Sequence, residues 1–130
     1  MKYKNIKNMI KKLLGFLLLF NSMLTAQDSV VIKAVHDGDS YKVFFLKEKT
    51  TKWARLVSID CPEVISNRIS KHQPLGLEIG DTCRKMLLGD TVQINSYGYD
   101  RFGRLLVQIK TRSDLGNYID LTEWLLVNGY

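Results

Sequence analysis

The chain has 130 residues, enough for one domain, and carries 19 Lys+Arg against 13 Asp+Glu, a formal net charge of +6. Five of those basic groups fall in the first 26 residues, so residues 27–130 hold 14 basic and 13 acidic groups, a net of +1. A broad cationic field is thereby excluded, and any phosphate recognition has to come from a few placed arginines.

In chain order, "MKYKNIKNMIKK" has five lysines and no acid, "LLGFLLLF" is apolar, and "NSMLTAQ" ends in small and polar residues. Basic, apolar and small-residue regions in that order are the layout of a secretory signal peptide, with cleavage expected after Ala26. The run from Leu13 to Ala26 is 14 residues, short of the roughly 20 that cross a bilayer as a helix. Residues 1–26 are therefore expected to be a signal peptide and residues 27–130 the folded domain. The location expected is secreted or periplasmic, with no stable membrane association after cleavage.

"SVVIKAV" reads as a β-branched strand, "HDGDS" as a turn and "YKVFFL" as a second strand with Tyr41, Val43 and Phe45 on one face. "KEKTTK" reads as a polar hairpin tip before a third strand, "WARLVSI", which Pro62 ends. Short connections make an antiparallel meander the economical arrangement of the three. From Pro74 to Leu88 the residues Leu77, Gly80, Cys83, Met86 and Leu87 recur at helical spacing, with Pro74 in the first turn and Gly89 as the stop. "TVQINSY" and "RLLVQIK" are the fourth and fifth strands around the turn "GYDRFG". The terminal "DLTEWLLVNG" has Asp120 as a helix cap with Glu123 three residues on, and stops at Gly129. Five strands with a helix between the third and fourth define an α+β β-barrel, the five-stranded OB-fold.

Three stretches could carry chemistry. Asp37 and Asp39 flank Gly38, a pattern that also suits an ordinary tight turn. Arg55 alternates with Leu56 along a strand: if buried it needs a carboxylate or a phosphate as partner, and otherwise it is an arginine exposed on the open face. "DRFGR" puts Arg101 and Arg104 around Phe102 at a hairpin corner, fit to grip phosphate beside a base or simply to be solvated. Cys61 and Cys83 fit either one disulfide, which export permits, or two buried small residues. His36 and His72 read as surface or turn residues.

The order and spacing of "DGDS", "RLVSIDCPE", "QPLG", "DRFGR" and "VNGY" resemble the staphylococcal nuclease, or thermonuclease, family over about Val30 to Gly129. The resemblance implies a calcium-dependent endonuclease that hydrolyses phosphodiester bonds of DNA and RNA with little sequence preference, leaves 3′-phosphates and acts as a monomer. By the same resemblance Asp39, Asp60 and the backbone carbonyl of Cys61 would hold Ca2+. Glu63 would activate the attacking water, and Arg55 and Arg104 would grip the scissile phosphate. Arg101 and Phe102 would contact neighbouring parts of the substrate. Ser40 stands where the family has threonine, which keeps the hydroxyl. The sequence stops at Tyr130, so the family's C-terminal helix is expected to be absent. The alternative from a different class is a catalytically inactive OB-fold module that binds nucleic acid or protein.

Overall fold

The computed structural model describes residues 6–13, 27–64 and 73–130. Residues 6–13 are helical (α1) and exposed. The expected cleavage point and most of the apolar run before it lie outside the described residues, as does His72. Among the described residues no helix is long and apolar enough to cross a membrane.

Period-two alternation builds the barrel. In β1 (Gln27–Val35), β2 (Ser40–Phe45) and β3 (Thr50–Leu56), the apolar residues Val30, Ile32, Tyr41, Val43, Phe45, Ala54 and Leu56 all turn inward and are buried. The three strands form the expected antiparallel meander, with Val43 opposite Ile32 and Tyr41 opposite Ala54. β3 begins and ends earlier than the sequence suggests. Thr50 already pairs with Phe45, so Thr50–Lys52 belong to the strand rather than to the hairpin tip. At its other end Ser58 adopts φ 68, which breaks the ladder before Ile59.

α2 (Gly76–Leu87) follows the meander, then β4 (Thr91–Tyr99) and β5 (Leu105–Arg112). β4 pairs with β1 and β5, and β5 pairs in parallel with β3 from Ala54–Leu105 to Leu56–Val107, which closes a five-stranded barrel. A short β6 (Tyr118–Asp120), beyond the five expected strands, adds to the edge of β5. The closed mixed barrel with helices is the α+β OB-fold that the strand order implies.

α2 starts two residues later than expected. Leu75 is left-handed at φ 66, so Pro74 lies in the preceding turn, and the first helical bond runs from the Ile79 amide to the Leu75 carbonyl. The buried face is Gly76, Ile79, Gly80, Cys83 and Leu87. Leu77, expected on that face, points out at 49% exposure, and Ile79 takes its place in the core. α3 (Leu121–Val127) is capped as its sequence foretells: the Asp120 side chain accepts from the amides of Thr122 and Glu123. Leu121 and Leu125 of α3 are fully buried, so this short helix is part of the single core.

Candidate active site

Two glycines let the site assemble. A Cβ at Gly38 would lie 2.5 Å from Ile79 Cγ2 and 2.8 Å from Cys61 Sγ, so only glycine lets α2 and the Cys61 loop close over the Asp37–Asp39 turn. A Cβ at Gly76 would lie 2.8 Å from the Glu63 carbonyl oxygen. The backbone of Pro62 and Glu63 thus rests directly on the start of α2. Gln73 fastens it there: its side chain accepts from the Glu63 amide at 2.9 Å, and its own amide donates to the Glu63 carbonyl at 3.1 Å. "QPLG" is therefore the mount of Glu63.

Asp39 is the hub. It is 2% exposed, accepts from the Cys61 amide at 3.0 Å and from Ser40 Oγ at 3.0 Å, and lies 3.4 Å from the Arg55 guanidinium. Arg104 donates to Ser40 Oγ at 3.3 Å, so both arginines are tied to Asp39, one directly and one through a hydroxyl. Arg55 also pairs with Asp60 at 2.5 Å. Burial works against the Arg55 charge, but Asp39 and Asp60 more than offset it and raise its pKa. Arg104 is held by Asp100, whose carboxylate accepts from the Arg104 Nε–H at 2.8 Å and from the amides of Phe102 and Arg104. Desolvation pushes the Asp100 carboxyl up, yet those donors bring it below its ordinary value.

His36, Ser40, Trp53, Arg55, Asp60, Glu63, Arg101, Phe102 and Arg104 line one open cleft of about 720 Å³. Six of the residues singled out from sequence therefore share a single cavity. Asp39 and Cys61 lie buried beneath it. His36, read from sequence as a surface or turn residue, is on its wall.

Asp37, weighed from sequence between a turn and a functional residue, was given no role there. It is 2% exposed, its Oδ1 has no hydrogen-bond partner, and its pKa is pushed up to about 6. Burial is the main cause, reinforced by the neighbouring Asp39 carboxylate; Glu63 adds and His36 opposes. Only a fold that buries both carboxylates together reveals this, because "DGD" by itself is a turn. Asp100 and Gln73 were missed for the same reason: each acts on a residue whose importance becomes visible only in three dimensions.

The oxygen donors suit a hard cation. Asp37 and Asp39 place two carboxylates side by side in the interior, with one oxygen unpartnered. Asp60 is turned to Arg55, with its side chain 81% exposed, and among the described residues no three acidic, His or Cys side chains converge on one point. Two carboxylates are thus buried together, and a third, that of Asp60, is engaged by Arg55. Cys61 and Cys83, left open between a bond and two buried residues, are both buried free thiols. Burial and the nearby Asp39 charge push the Cys61 thiol up to about 12. Burial likewise raises Cys83.

A closed OB barrel with paired arginines and carboxylates in one cleft defines a nuclease-type or nucleic-acid-binding module. The family model described as staphylococcal nuclease homologue matches residues 54–130, more than half of the chain, and the protein belongs to that family. A comparison with curated proteins finds no match.

Proposed function

We propose that the protein is an exported, calcium-dependent phosphodiesterase that cleaves DNA and RNA with little sequence preference. The observation that carries this reading is the common cleft. Two restrained guanidiniums and an exposed carboxylate face the same space above a buried acidic pair with an unpartnered oxygen.

Arg55 and Arg104 offer planar donor forks to phosphate oxygens. Each is already oriented, Arg55 by Asp39 and Asp60 and Arg104 by Asp100 and Ser40. Preorganised donors aimed at oxygens that gain charge as water attacks lower the barrier without reorganisation at that moment. Glu63 is exposed on the cleft and anchored through its backbone, so its carboxylate can take a proton from the attacking water, an effect of about 10²–10⁴ in rate. Asp37, Asp39, Asp60 and the Cys61 carbonyl are the groups that would hold Ca2+, which when bound supplies further charge stabilisation at the phosphate. With so few protein ligands the affinity expected is on the order of 10⁻⁴–10⁻³ M, suited to an extracellular setting. The basic and apolar regions of residues 1–26 support export.

The second reading, a binding module without catalysis, is favoured by one observation: Asp60 is occupied by Arg55. A gel assay with single-stranded oligonucleotide separates them. Wild type should cleave in about millimolar calcium and stop on chelation, and Glu63→Gln should be slower by two or more orders of magnitude. Equal rates would remove the role given to Glu63. A folded wild type that binds but never cleaves would establish the binding module.

A further inference from the structure

The outward face of the sheet beside the cleft carries a pattern that phosphate chemistry does not use. Ser40 pairs with Arg55, Lys42 with Trp53 and Phe44 with Thr51. Because side chains alternate, Trp53 shares its face with Arg55, about 7 Å further along the strand, and Lys42 and Phe44 lie beside it on β2. Trp53 is 43% exposed and Phe102 is 68% exposed, and both line the cleft.

Each aromatic ring on this side has a cation against it. Lys42 Nζ is 6.0 Å from the Trp53 ring, Lys33 Nζ is 5.6 Å from Phe44, and Arg101 and Arg104 are 4.7 and 5.5 Å from Phe102. A single exposed aromatic would be unremarked on any surface. Here rings and cations alternate in one direction, starting at the paired arginines, and the opposite face of the same strands already supplies the core. Indole and phenyl faces flanked by cations bind unpaired nucleic acid without reading its sequence: bases stack on the rings and cations take the backbone. Lys42 and Lys33 have exposed, rotatable stems, so each can turn to a phosphate as a base settles on the ring.

We propose that Trp53 is the stacking platform for the base next to the phosphate held by Arg55 and Arg104, and that Lys42, Phe44 and Lys33 extend it into a track for a single strand. This rests on the phosphodiesterase reading and narrows its substrate class to unpaired DNA or RNA. In a duplex each base is covered on both faces by its neighbours and cannot lie on Trp53 without being unstacked.

The test uses the whole protein in chelator, which prevents turnover, with an oligothymidylate of about ten nucleotides. The chain has two tryptophans, so a Trp124→Phe background isolates the fluorescence of Trp53. The strand should quench that signal, and duplex DNA of equal length should quench it far less. Trp53→Ala should weaken binding by about 5- to 100-fold, and Trp53→Phe should recover most of it. Lys42→Ala should lower the salt dependence by about 0.7 in log–log slope. Thermal melts check that Trp124→Phe, at a position half-buried against the core, and the exposed Trp53 and Lys42 substitutions leave the fold intact. Unchanged affinity in Trp53→Ala, or equal quenching by duplex, overturns the track, while cleavage by wild type would leave the phosphodiesterase reading standing. Quenching without cleavage after calcium is restored supports the track and removes the phosphodiesterase reading. A folded wild type that neither binds nor cleaves overturns both.

Discussion

Asp37→Asn tests whether the buried acidic pair is held at a cost. The Asp37 carboxyl titrates near 6 in the folded protein against an ordinary 3.8. A raised carboxyl favours folding when protonated: its contribution is fully present below 3.8 and is lost as pH rises through about 6. At about 1.36 kcal/mol for each tenfold change, the ionised carboxylate destabilises metal-free protein by at most ~3 kcal/mol above pH 7, and by roughly half that at pH 5. Asparagine does not titrate. In chelator the stability of Asp37→Asn relative to wild type should therefore improve by about 1.5 kcal/mol between pH 5 and pH 8, on the order of 6–10 °C in melting temperature for a domain of this size. Comparing the two pH values cancels any fixed effect of the new amide, whose –NH2 can donate to Asp39. Millimolar calcium at pH 8 should abolish the advantage, because a cation between the carboxylates removes the repulsion that the variant relieves. An advantage that is the same at both pH values, or that shrinks as pH rises, would refute the reasoning about Asp37.

Leu125→Ala, at a fully buried position of α3, should lose about 2–5 kcal/mol in a denaturant melt, whereas Val127→Ala, 79% exposed, should change little. Gly76→Ala forces a Cβ against the Glu63 carbonyl, so nuclease assays should show lost activity out of proportion to any loss in melting temperature. Asp100→Ala frees the Arg104 guanidinium and should weaken oligonucleotide binding in a titration. Both thiols are buried and raised, so a thiol reagent at pH 8 should react slowly with native protein and count two thiols after unfolding. Rapid labelling of the native state would contradict their burial.

The sequence by itself determined whatever rests on local rules. Tyr41, Val43 and Phe45 face the core because a strand alternates, and Asp120 caps α3 because its side chain reaches the amides two and three residues on. Arg55, Asp60, Glu63, Arg101, Phe102 and Arg104 were singled out by the family resemblance that "RLVSIDCPE" and "DRFGR" carry, since each had an ordinary local alternative, and the structure places all six on one cleft. Tertiary structure decided what depends on approach between distant segments. The helical period alone placed Leu77 inside and left out Ile79, since the direction of the buried face is set by the barrel that α2 packs against. Ring closure between β3 and β5 joins segments some fifty residues apart, and no periodicity encodes it. Asp37 is an ordinary turn residue until Ile79 and Cys61 close over Gly38 and bury it against Asp39. Trp53 gains its meaning only from the β2–β3 register, which sets it beside Lys42 and in line with Arg55. Desolvation and charge proximity are properties of neighbours in space, so a turn motif becomes a costly acidic pair only when the fold removes its water.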